Sequence, residues 1–251
     1  MKEKEIVEKA RKEFEEDFSK QGYMENRTGD EKHLQQILNS LIVKEGYRVL
    51  DLGTGSGYIA FPFAKMNPSS EIVGLDIAAK TLVRNTEKAA EEGLSNLKFV
   101  AYEGIEFPFE DNTFDCVVTR YALHHFPDIE KTFSEIKRVM KPKGQLFISD
   151  PTPNEEDTMR FVDAYMQLKD DGHVRFYKKE EFERFAYKEG FQLGNCFMTE
   201  VIFPTNKTES EGFPKICEGV DKSIIHSYIK IIDGQEWTTE KILNLSFCLL
   251  L

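Results

Sequence analysis

The 251-residue chain is poor in several features that assign a protein to a class at once. Its four cysteines are widely separated: Cys116, Cys196, Cys217 and Cys248. This spacing favours neither a disulfide framework nor a Cys-x-x-Cys metal site. No apolar run is long enough to cross a bilayer. The first twenty residues mix acids and bases and lack the apolar core of a signal peptide, so we expect a cytoplasmic protein.

Positive charge is also scarce, because 33 Lys and Arg face 44 Asp and Glu and leave a formal net charge of -11. Proteins that bind nucleic acids usually gather basic side chains into a stripe that neutralises phosphates. We therefore expect no nucleic-acid partner and no membrane span. The length is enough for one large domain with one main site. The sequence leaves open whether the protein is a monomer or a homodimer.

Two amphipathic helices are predicted in residues 1–45, and we expect them to cover the site of a domain formed by residues 46–251. The first helix has an apolar edge with a spacing of four, made by Ile6, Ala10, Phe14 and Phe18. The second begins at the N-cap Asp30 and is predicted to end near Gly46. Its apolar positions are Leu34, Ile37, Leu38 and Leu41. The intervening QGYMENRTGD is predicted to be a loop.

From residue 47, short β-rich runs alternate with helical stretches. Strands are predicted at YRVLDLG, EIVGLD, LKFVAYE, FDCVVTR, GQLFISD, FQLGNCFMTEVIF and KILNLSFCLLL. Helices are predicted at 57–66, at 78–92, after Asp128, over KKEEFERFAYKEG and around GFPKICEGVDKSIIHSYIKI. Apolar strands joined by helices indicate an α/β fold whose parallel sheet is covered on both faces. The alternation is interrupted at about residues 151–177, which we expect to form a lid-like insertion over the carboxyl ends of the strands.

The segment VLDLGTGSG places three glycines at alternate positions after the first strand. Because they lack Cβ atoms, Gly53, Gly55 and Gly57 can adopt positive φ and allow a ligand to approach the backbone. The next helix would direct its free N–H groups to the same place. Asp76 ends the second strand, where its carboxylate could accept hydrogen bonds from a ribose diol or cap the following helix. The pattern predicts a ligand that contains a nucleoside.

Two residues distinguish this loop from that of a dinucleotide dehydrogenase. The dehydrogenase pattern G-x-G-x-x-G needs a glycine where this chain has Tyr58. Asp51 precedes the loop, and its carboxylate would repel a pyrophosphate and attract an ammonium group. A nicotinamide dehydrogenase is thus the less favoured alternative.

The pattern D-x-G-x-G-x-G, with an acid closing the second strand, resembles the class I S-adenosylmethionine-dependent methyltransferases. GIEFPFEDNTFDCVVTRYALHHFPD is similar to the small-molecule subgroup that includes the ubiquinone and menaquinone biosynthesis methylases. The likeness is close over about residues 47–150 and elsewhere extends only to the order of elements. It implies a Rossmann-like, doubly wound fold with a mostly parallel seven-stranded sheet and an antiparallel C-terminal strand. It also implies S-adenosyl-L-methionine as cofactor and S-adenosyl-L-homocysteine as product.

The resemblance further implies a cofactor role for individual residues. Asp51 would act on the methionine amino group, and the loop from Gly53 to Gly57, including Thr54, would line the methionine and ribose. Asp76 would take the ribose hydroxyls, Ile77 would pack on adenine and Glu103 would accept from the adenine amino group. Further contacts are implied for Gly104, Ile105, Arg120 and Tyr121, the last of which also faces the substrate.

Catalytic and substrate residues are less well defined by the sequence. His124 and His125 are candidate bases, because imidazole takes up a proton near neutral pH, although a packing role is as compatible with His125. Tyr121 is a third candidate. Loops at this face often contact substrates, which makes Tyr165, His173 and Arg175 of the insertion candidates too. The alternatives are a solvated loop for the polar residues and ordinary packing for Tyr165.

The residues after the fourth strand narrow the reaction that the resemblance implies. TRYA replaces the N/D-P-P-Y/F motif of amino-group methylases, and Arg120 stands where the metal-dependent catechol type has an acid. A small-molecule O-, C- or N-methyltransferase that works without a metal remains. A noncatalytic S-adenosylmethionine-binding protein is the alternative from another class. The acceptor is left open.

Overall fold

The computed structural model describes residues 2–17 and 29–250. Helices in these ranges are α1 (Lys2–Asp17), α2 (Glu31–Ser40), α3 (Ala60–Met66), α4 (Ala79–Glu91), α5 (Ile129–Val139), α6 (Phe161–Met166), α7 (Lys179–Lys188), α8 (Phe213–Ile216) and α9 (Lys222–Tyr228). The strands are β1 (Arg48–Leu52), β2 (Glu71–Asp76), β3 (Leu97–Ala101), β4 (Phe114–Arg120), β5 (Met140–Thr152), β6 (Phe191–Thr205), β7 (Ile229–Ile232) and β8 (Gln235–Leu249). Phe18 and most of the predicted loop QGYMENRTGD lie outside the described residues.

One sheet joins the strands in the order β3-β2-β1-β4-β5-β8-β6. Strands β1 to β5 are parallel, and β8 runs antiparallel to both β5 and β6. This arrangement confirms the predicted doubly wound fold with its antiparallel C-terminal strand. Because β1 lies between β2 and β4, the strand order reverses at β1. Ligands of open α/β sheets bind in the crevice beyond the carboxyl ends of the strands at such a point.

Each face of the sheet has its own hydrophobic core, because successive strand side chains point to opposite faces. Leu50 packs with α5 and α7, whose buried side chains include Phe133 and Phe182. Its neighbour Val49 packs on the other face with α2, α3 and α4, where Ile37 is among the buried residues. The two cores hold the sheet rigid and fix the positions of the loops that leave its carboxyl edge.

The sequence predicted seven strands, whereas the described residues form eight. The missing strand is β7, which the sequence placed in a helical region, and it pairs antiparallel with the first residues of β8. Strand β8 continues past the end of β5, since Thr152 of β5 pairs with Lys241 while β8 begins at Gln235. The unpaired edge of this extension is hydrogen-bonded by β7, whose Ile229 aligns with Thr238.

Some predicted helix bounds were also wrong. Helix α2 ends at Ser40 and not near Gly46, and α3 begins at Ala60 because Gly57 has a φ of 81°, which is outside the helical range. The polar start of the predicted insertion belongs in part to β5, which extends to Thr152. Within the described ranges, no helix is both long enough and apolar enough to cross a membrane.

Helices α6, α8 and α9 form a third, smaller cluster, which we call the helical cover. Its centre is made by large buried side chains that include Phe161, Tyr165 and Tyr228. Asp157 starts α6 by accepting the backbone N–H groups of Phe161 and Val162. Asp163 then accepts from the backbone N–H of Phe176. These bonds fold the insertion back on itself, so that it is a packed unit over the sheet.

Candidate functional site

Two adjoining cavities lie in the crevice that the topology predicts. The larger has a volume of about 130 Å³ and contains Asp51 in its wall. The smaller has a volume of about 80 Å³ and contains Asp76. The residues common to both walls are Phe14, Gly53, Tyr121 and His125. A long ligand could therefore occupy both cavities and cross from one to the other beside these four residues.

Contacts with neighbouring elements of the fold stabilise the conformation of the glycine loop. Gly53 has a φ of 73°, and a Cβ there would lie 2.4 Å from Cβ of Ala122. Gly55 has a φ of 50°, and its N–H donates to Oδ2 of Asp76 at 2.8 Å. The Gly55 carbonyl accepts from Asn85 at 2.8 Å. Packing against Ala122, which follows β4, and hydrogen bonds to Asp76 of β2 and Asn85 of α4 thus fix the loop at the edge of the crevice.

Asp51 is a carboxylate almost completely removed from water. It is 2% exposed, and its Oδ2 accepts from the Thr54 hydroxyl at 2.7 Å. Burial raises the pKa of Asp51 to about 7, with a smaller contribution from the nearby Asp76. A cation in the larger cavity would lower this pKa, because it favours the charged carboxylate. Asp51 is therefore suited to bind an ammonium group.

Asp76 connects the glycine loop to α4 and also faces the smaller cavity. Its Oδ2 accepts from Gly55, and its Oδ1 accepts from the backbone N–H of Ala78 at 2.9 Å. Burial raises its pKa in spite of these bonds. Each carboxylate oxygen has a second lone pair that can accept from a hydroxyl. The helix-entry role and a ribose-binding role are thus compatible in one side chain.

Helix α1 forms one wall of the smaller cavity. Val7, Ala10 and Phe14 line it, and a Cβ added to Gly104 would lie 2.7 Å from Cγ1 of Val7. The ring of Phe14 meets that of His125 edge to face, with centroids 4.9 Å apart. This contact places an aromatic side chain of α1 in the wall that both cavities share.

In the wall of the larger cavity, the buried guanidinium of Arg120 packs against two aromatic rings. The Cζ atom of Arg120 lies 4.4 Å from the ring centroids of both Tyr58 and Tyr121. Burial lowers the pKa of Arg120. The Tyr58 hydroxyl accepts from the backbone N–H of Asp30 at 3.0 Å, which ties the start of α2 to this wall. Tyr58, which stands where the dehydrogenase pattern has a glycine, thus packs against the Arg120 guanidinium.

Tyr121 is the most strained residue of the wall. It has a φ of 53°, a conformation that is costly for an aromatic residue and that often marks functional sites. Its hydroxyl is buried and has no hydrogen-bond partner among the described residues. Burial holds the pKa of Tyr121 well above 10, so the hydroxyl keeps its proton and acts as a donor. A ligand that places an acceptor beside this hydroxyl would satisfy it.

Three histidines meet on the wall below the insertion. The ring of His124 lies 4.3 Å from that of His125 and 5.5 Å from that of His173, measured between centroids. Nδ1 of His124 contacts Oδ1 of Asp150, and Nε2 of His173 lies 3.1 Å from Oδ1 of Asp163. Burial lowers the pKa of His124 and His125 well below the usual value. Among the residues described, no three His, Cys, Asp or Glu side chains are arranged to hold a metal ion.

The structure brings most of the sequence-predicted site residues into the two walls. They are Asp51, Gly53, Thr54, Gly55, Asp76, Ile77, Gly104, Arg120, Tyr121, His124, His125 and His173. Gly57 shapes the turn without lining either cavity, and an added Cβ would lie 2.6 Å from the ring of Phe61. Ile105 lies outside both cavities, beside Gly104 at a separate shallow pocket.

Three predicted residues point elsewhere. The carboxylate of Glu103 is 92% exposed and pairs with Arg11 at 3.0 Å, so it does not face the smaller cavity. Tyr165 is buried in the helical cover, where its hydroxyl bonds Glu236 at 2.6 Å. Arg175 pairs with Glu181 at 2.8 Å on the outer surface of the insertion. Their positions do not support direct ligand contact.

Other wall residues were not identified from the sequence. Their side chains come from distant elements: Phe14, Tyr58, Met166, Phe176, Phe203, Lys207 and Glu240. Phe203 and Glu240 reach the larger cavity because β6 and β8 extend beyond the end of β5. The apolar edge that predicted α1 contains Phe14, but a periodic pattern does not say which neighbour a helix packs against.

The comparisons with known proteins agree with this geometry. A family model described as a methyltransferase domain matches residues 43–193. The uncharacterized methyltransferase YcgJ of Bacillus subtilis is 34% identical over 130 residues, which is 51% of each chain. The ubiquinone/menaquinone biosynthesis C-methyltransferase UbiE of Pseudomonas paraeruginosa is 33% identical over 126 residues, 49% of each chain. The chain spans about half the length of the curated relatives it matches.

The fold also has a close counterpart among solved structures. The crystal structure of the Bacillus YcgJ protein superposes with a TM-score of 0.74 at 22% identity. The match covers 87% of this chain and 98% of that one. At this identity the likeness bears on the fold, and it extends beyond the region of sequence similarity to most of the chain.

Proposed function

The chain belongs to the S-adenosylmethionine-dependent methyltransferases, and from that premise we propose that it methylates a small molecule held in the larger cavity. The observation that supports this best is the pair of joined cavities, with one buried carboxylate in each and a shared wall between them. A methionine joined to a nucleoside has an ammonium group at one end and a ribose diol towards the other. Asp51 in the larger cavity could take the ammonium group, and Asp76 in the smaller cavity could take the diol.

In this proposal the smaller cavity holds the adenosine. Asp76 accepts the ribose hydroxyls, while Ile77, Gly104 and Tyr102 enclose the base. Helix α1 covers this part of the ligand through Val7. The methionine lies in the larger cavity along Gly53 and Gly55, and its ammonium group faces Asp51. Glu103 is left out of the adenine site because it is turned towards Arg11.

For methyl transfer, the protein mainly has to align the cofactor with the acceptor and exclude water. The bound cofactor supplies a methyl group on a positive sulfur, which is already a strong electrophile. Phe14 of α1 and Met166 of the helical cover contribute apolar side chains to the cavity walls, which reduces the access of water. The buried Tyr121 hydroxyl has no partner among the described residues, so it is available to donate a hydrogen bond that orients the ligand. The acceptor enters the rest of the larger cavity, whose apolar walls are made by Met166, Phe176 and Phe203.

These walls favour a small acceptor with a largely apolar frame. The curated relative UbiE is named as a C-methyltransferase of ubiquinone and menaquinone biosynthesis. An aromatic or otherwise unsaturated acceptor is consistent with both observations. The charge of -11 argues against a nucleic acid as acceptor. We keep a cytoplasmic location as part of the proposal.

The cofactor site can be tested with two variants and calorimetry of S-adenosylhomocysteine binding. Gly55→Val places a branched side chain in the loop, and Asp76→Ala removes the carboxylate from the smaller cavity. Both should abolish measurable binding while the protein stays folded. Gly46→Val is the matched control, because Gly46 has a φ of 78° but its added Cβ meets no atom within 4 Å. The site assignment fails if both site variants bind with wild-type affinity.

Two further measurements separate the proposal from its alternatives. Formation of S-adenosylhomocysteine with any acceptor in a metabolite extract excludes a noncatalytic binding protein. A thermal-shift comparison of S-adenosylmethionine with NAD tests the dehydrogenase. A ligand at one hundred times its dissociation constant adds about 2.7 kcal/mol of stability, so the true ligand should raise the melting temperature by several degrees. A rise with NAD alone would overturn the proposed function.

A further inference from the structure

Asp150, near the end of β5, forms a buried pair with His124 that the glycine loop and its acids do not explain. Asp150 is 1% exposed, and its Oδ2 accepts from the backbone N–H of Leu123 at 2.8 Å. Its Oδ1 contacts Nδ1 of His124. The two residues are 26 positions apart in the chain and meet because β4 and β5 are neighbours in the sheet. One carboxylate thus fixes both the backbone and the ring of the His124 turn.

The pairing determines which nitrogen of His124 is available. When Asp150 is ionised it accepts the proton carried by Nδ1, which leaves Nε2 of His124 with the free lone pair. The edge-to-face contact of the ring with Phe176, at 5.1 Å between centroids, restricts its orientation further. His124 lines the larger cavity, on the side where Phe176 and Met166 form the apolar wall. With Asp150 ionised, the unprotonated nitrogen belongs to a ring in the wall of the cavity that is assigned to the acceptor.

The proposed reaction needs such a group if the acceptor is a hydroxyl. When a neutral hydroxyl oxygen attacks a methyl carbon, the oxygen becomes positively charged and its proton becomes strongly acidic. In a cavity lined by α1 and the helical cover, a positioned side chain can take that proton. A weakly basic imidazole is sufficient, because the proton is lost as the new bond forms.

We propose that His124, oriented by Asp150, is the catalytic base that takes the proton of an acceptor hydroxyl carried on an apolar frame. This inference rests on the proposed function. The oxygen forms a bond to the methyl carbon while the carbon–sulfur bond breaks, and its electron pair stays on sulfur. The hydroxyl proton passes to Nε2 of His124, and Asp150 stabilises the resulting imidazolium. Asp150 is a positioning residue, since it acts through His124.

The pH response of His124 depends on every charged group that faces it. Burial lowers the pKa of His124 and raises the pKa of Asp150 to about 8, so the ionised Asp150 that this pairing needs becomes the main form as the pH rises through 8. The other titratable groups near the ring are His125 of the same turn, His173, Asp171 and Asp163 of the insertion, and Lys207 after β6. Measurements at one pH, with variants that change one group at a time, therefore separate the His124–Asp150 pair from its neighbours.

The test uses 4-nitrophenol, whose phenol and phenolate forms absorb at different wavelengths, added to the full chain saturated with S-adenosylhomocysteine. A hydrogen bond from the phenol to Nε2 of His124 favours the phenol form, so the bound phenolate fraction should be lower than in free solution at the same pH. His124→Gln should abolish this shift towards the phenol, and Asp150→Asn should reduce it. The control His33→Gln removes another buried histidine, which bonds Asn244 outside both cavities, and should keep the shift.

Nitrogen NMR of the histidine rings provides a readout that a merely structural role would not move. In the wild-type complex above about pH 8, where Asp150 is ionised, His124 should carry its proton on Nδ1 and none on Nε2, and Asp150→Asn should change this tautomer or its pKa. The inference is overturned by a proton on Nε2, by the absence of a shift towards the phenol in the wild type, or by an equal shift in His124→Gln. Binding of S-adenosylhomocysteine with no such shift would refute this inference alone, whereas absence of binding would refute the proposed function.

Discussion

The buried carboxylate of Asp51 makes the affinity for the cofactor depend on pH. With a pKa of about 7, Asp51 is ionised in about half of the unliganded molecules at pH 7. Only the ionised form can pair with an ammonium group, so binding at lower pH must first remove a proton. The observed affinity should scale with the ionised fraction of Asp51. It therefore falls as the pH decreases through 7.

The size of the effect follows from the same pKa. Between pH 7.5 and pH 6 the ionised fraction falls by about eightfold, which corresponds to about 1.2 kcal/mol of binding free energy. Below pH 6 the affinity should fall by nearly tenfold for each further pH unit. Binding at pH 7 should also release about half a proton for each ligand, because the ammonium group drives Asp51 to its charged form.

Calorimetry of S-adenosylhomocysteine binding at pH 6, 7 and 7.5 measures both quantities. Repeating the pH 7 titration in two buffers with different ionisation enthalpies gives the number of protons released. Asp51→Asn should bind more weakly at pH 7.5 and lose most of the pH dependence. The reasoning is refuted if the wild type binds equally well at pH 6 and 7.5, or if Asp51→Asn keeps the eightfold ratio.

Two further substitutions test the walls and the helical cover. Phe14→Ala removes the α1 ring from the wall that both cavities share, and should weaken S-adenosylhomocysteine binding by about 0.5–1.5 kcal/mol in calorimetry, the usual value of an aromatic contact; unchanged affinity would show that α1 does not cover the ligand. Tyr165→Phe deletes the hydroxyl that bonds Glu236 and Thr238, and should lower the free energy of unfolding in urea by about 1–3 kcal/mol. Its affinity for S-adenosylhomocysteine should equal that of the wild type, and a weaker affinity at unchanged stability would return Tyr165 to the site.

The core of the candidate site was predictable because its elements are local in the chain. Gly53, Gly55 and Asp51 belong to one strand–turn segment, whose conformation depends on the positive φ that glycine allows. Asp76 ends the next strand, and the carboxyl ends of neighbouring parallel strands necessarily meet at one edge of the sheet. Contiguous residues and a single topological rule were enough to place these groups together.

Residues that depend on longer-range packing could not be placed in this way. Glu103 matches a motif position, but its carboxylate pairs with Arg11 of α1. This pairing turns the carboxylate away from the crevice. Tyr165 is an aromatic residue of the insertion, where substrate contacts were expected. Instead its ring is buried in the helical cover and its hydroxyl bonds Glu236, and both interactions hold it there. Burial and pairing of this kind depend on neighbours that are distant in sequence.

The chain's local patterns thus specify the fold class, the glycine loop and the two acids that suit an S-adenosylmethionine site. The three-dimensional packing specifies what surrounds them. Strand β7 forms because the extension of β8 has a free edge, and that extension also brings Glu240 to the larger cavity. The pairing of His124 with Asp150 follows from the neighbouring positions of β4 and β5. A backbone conformation can be read from a few adjacent residues, whereas a side chain's partner is set by the elements that fold against it.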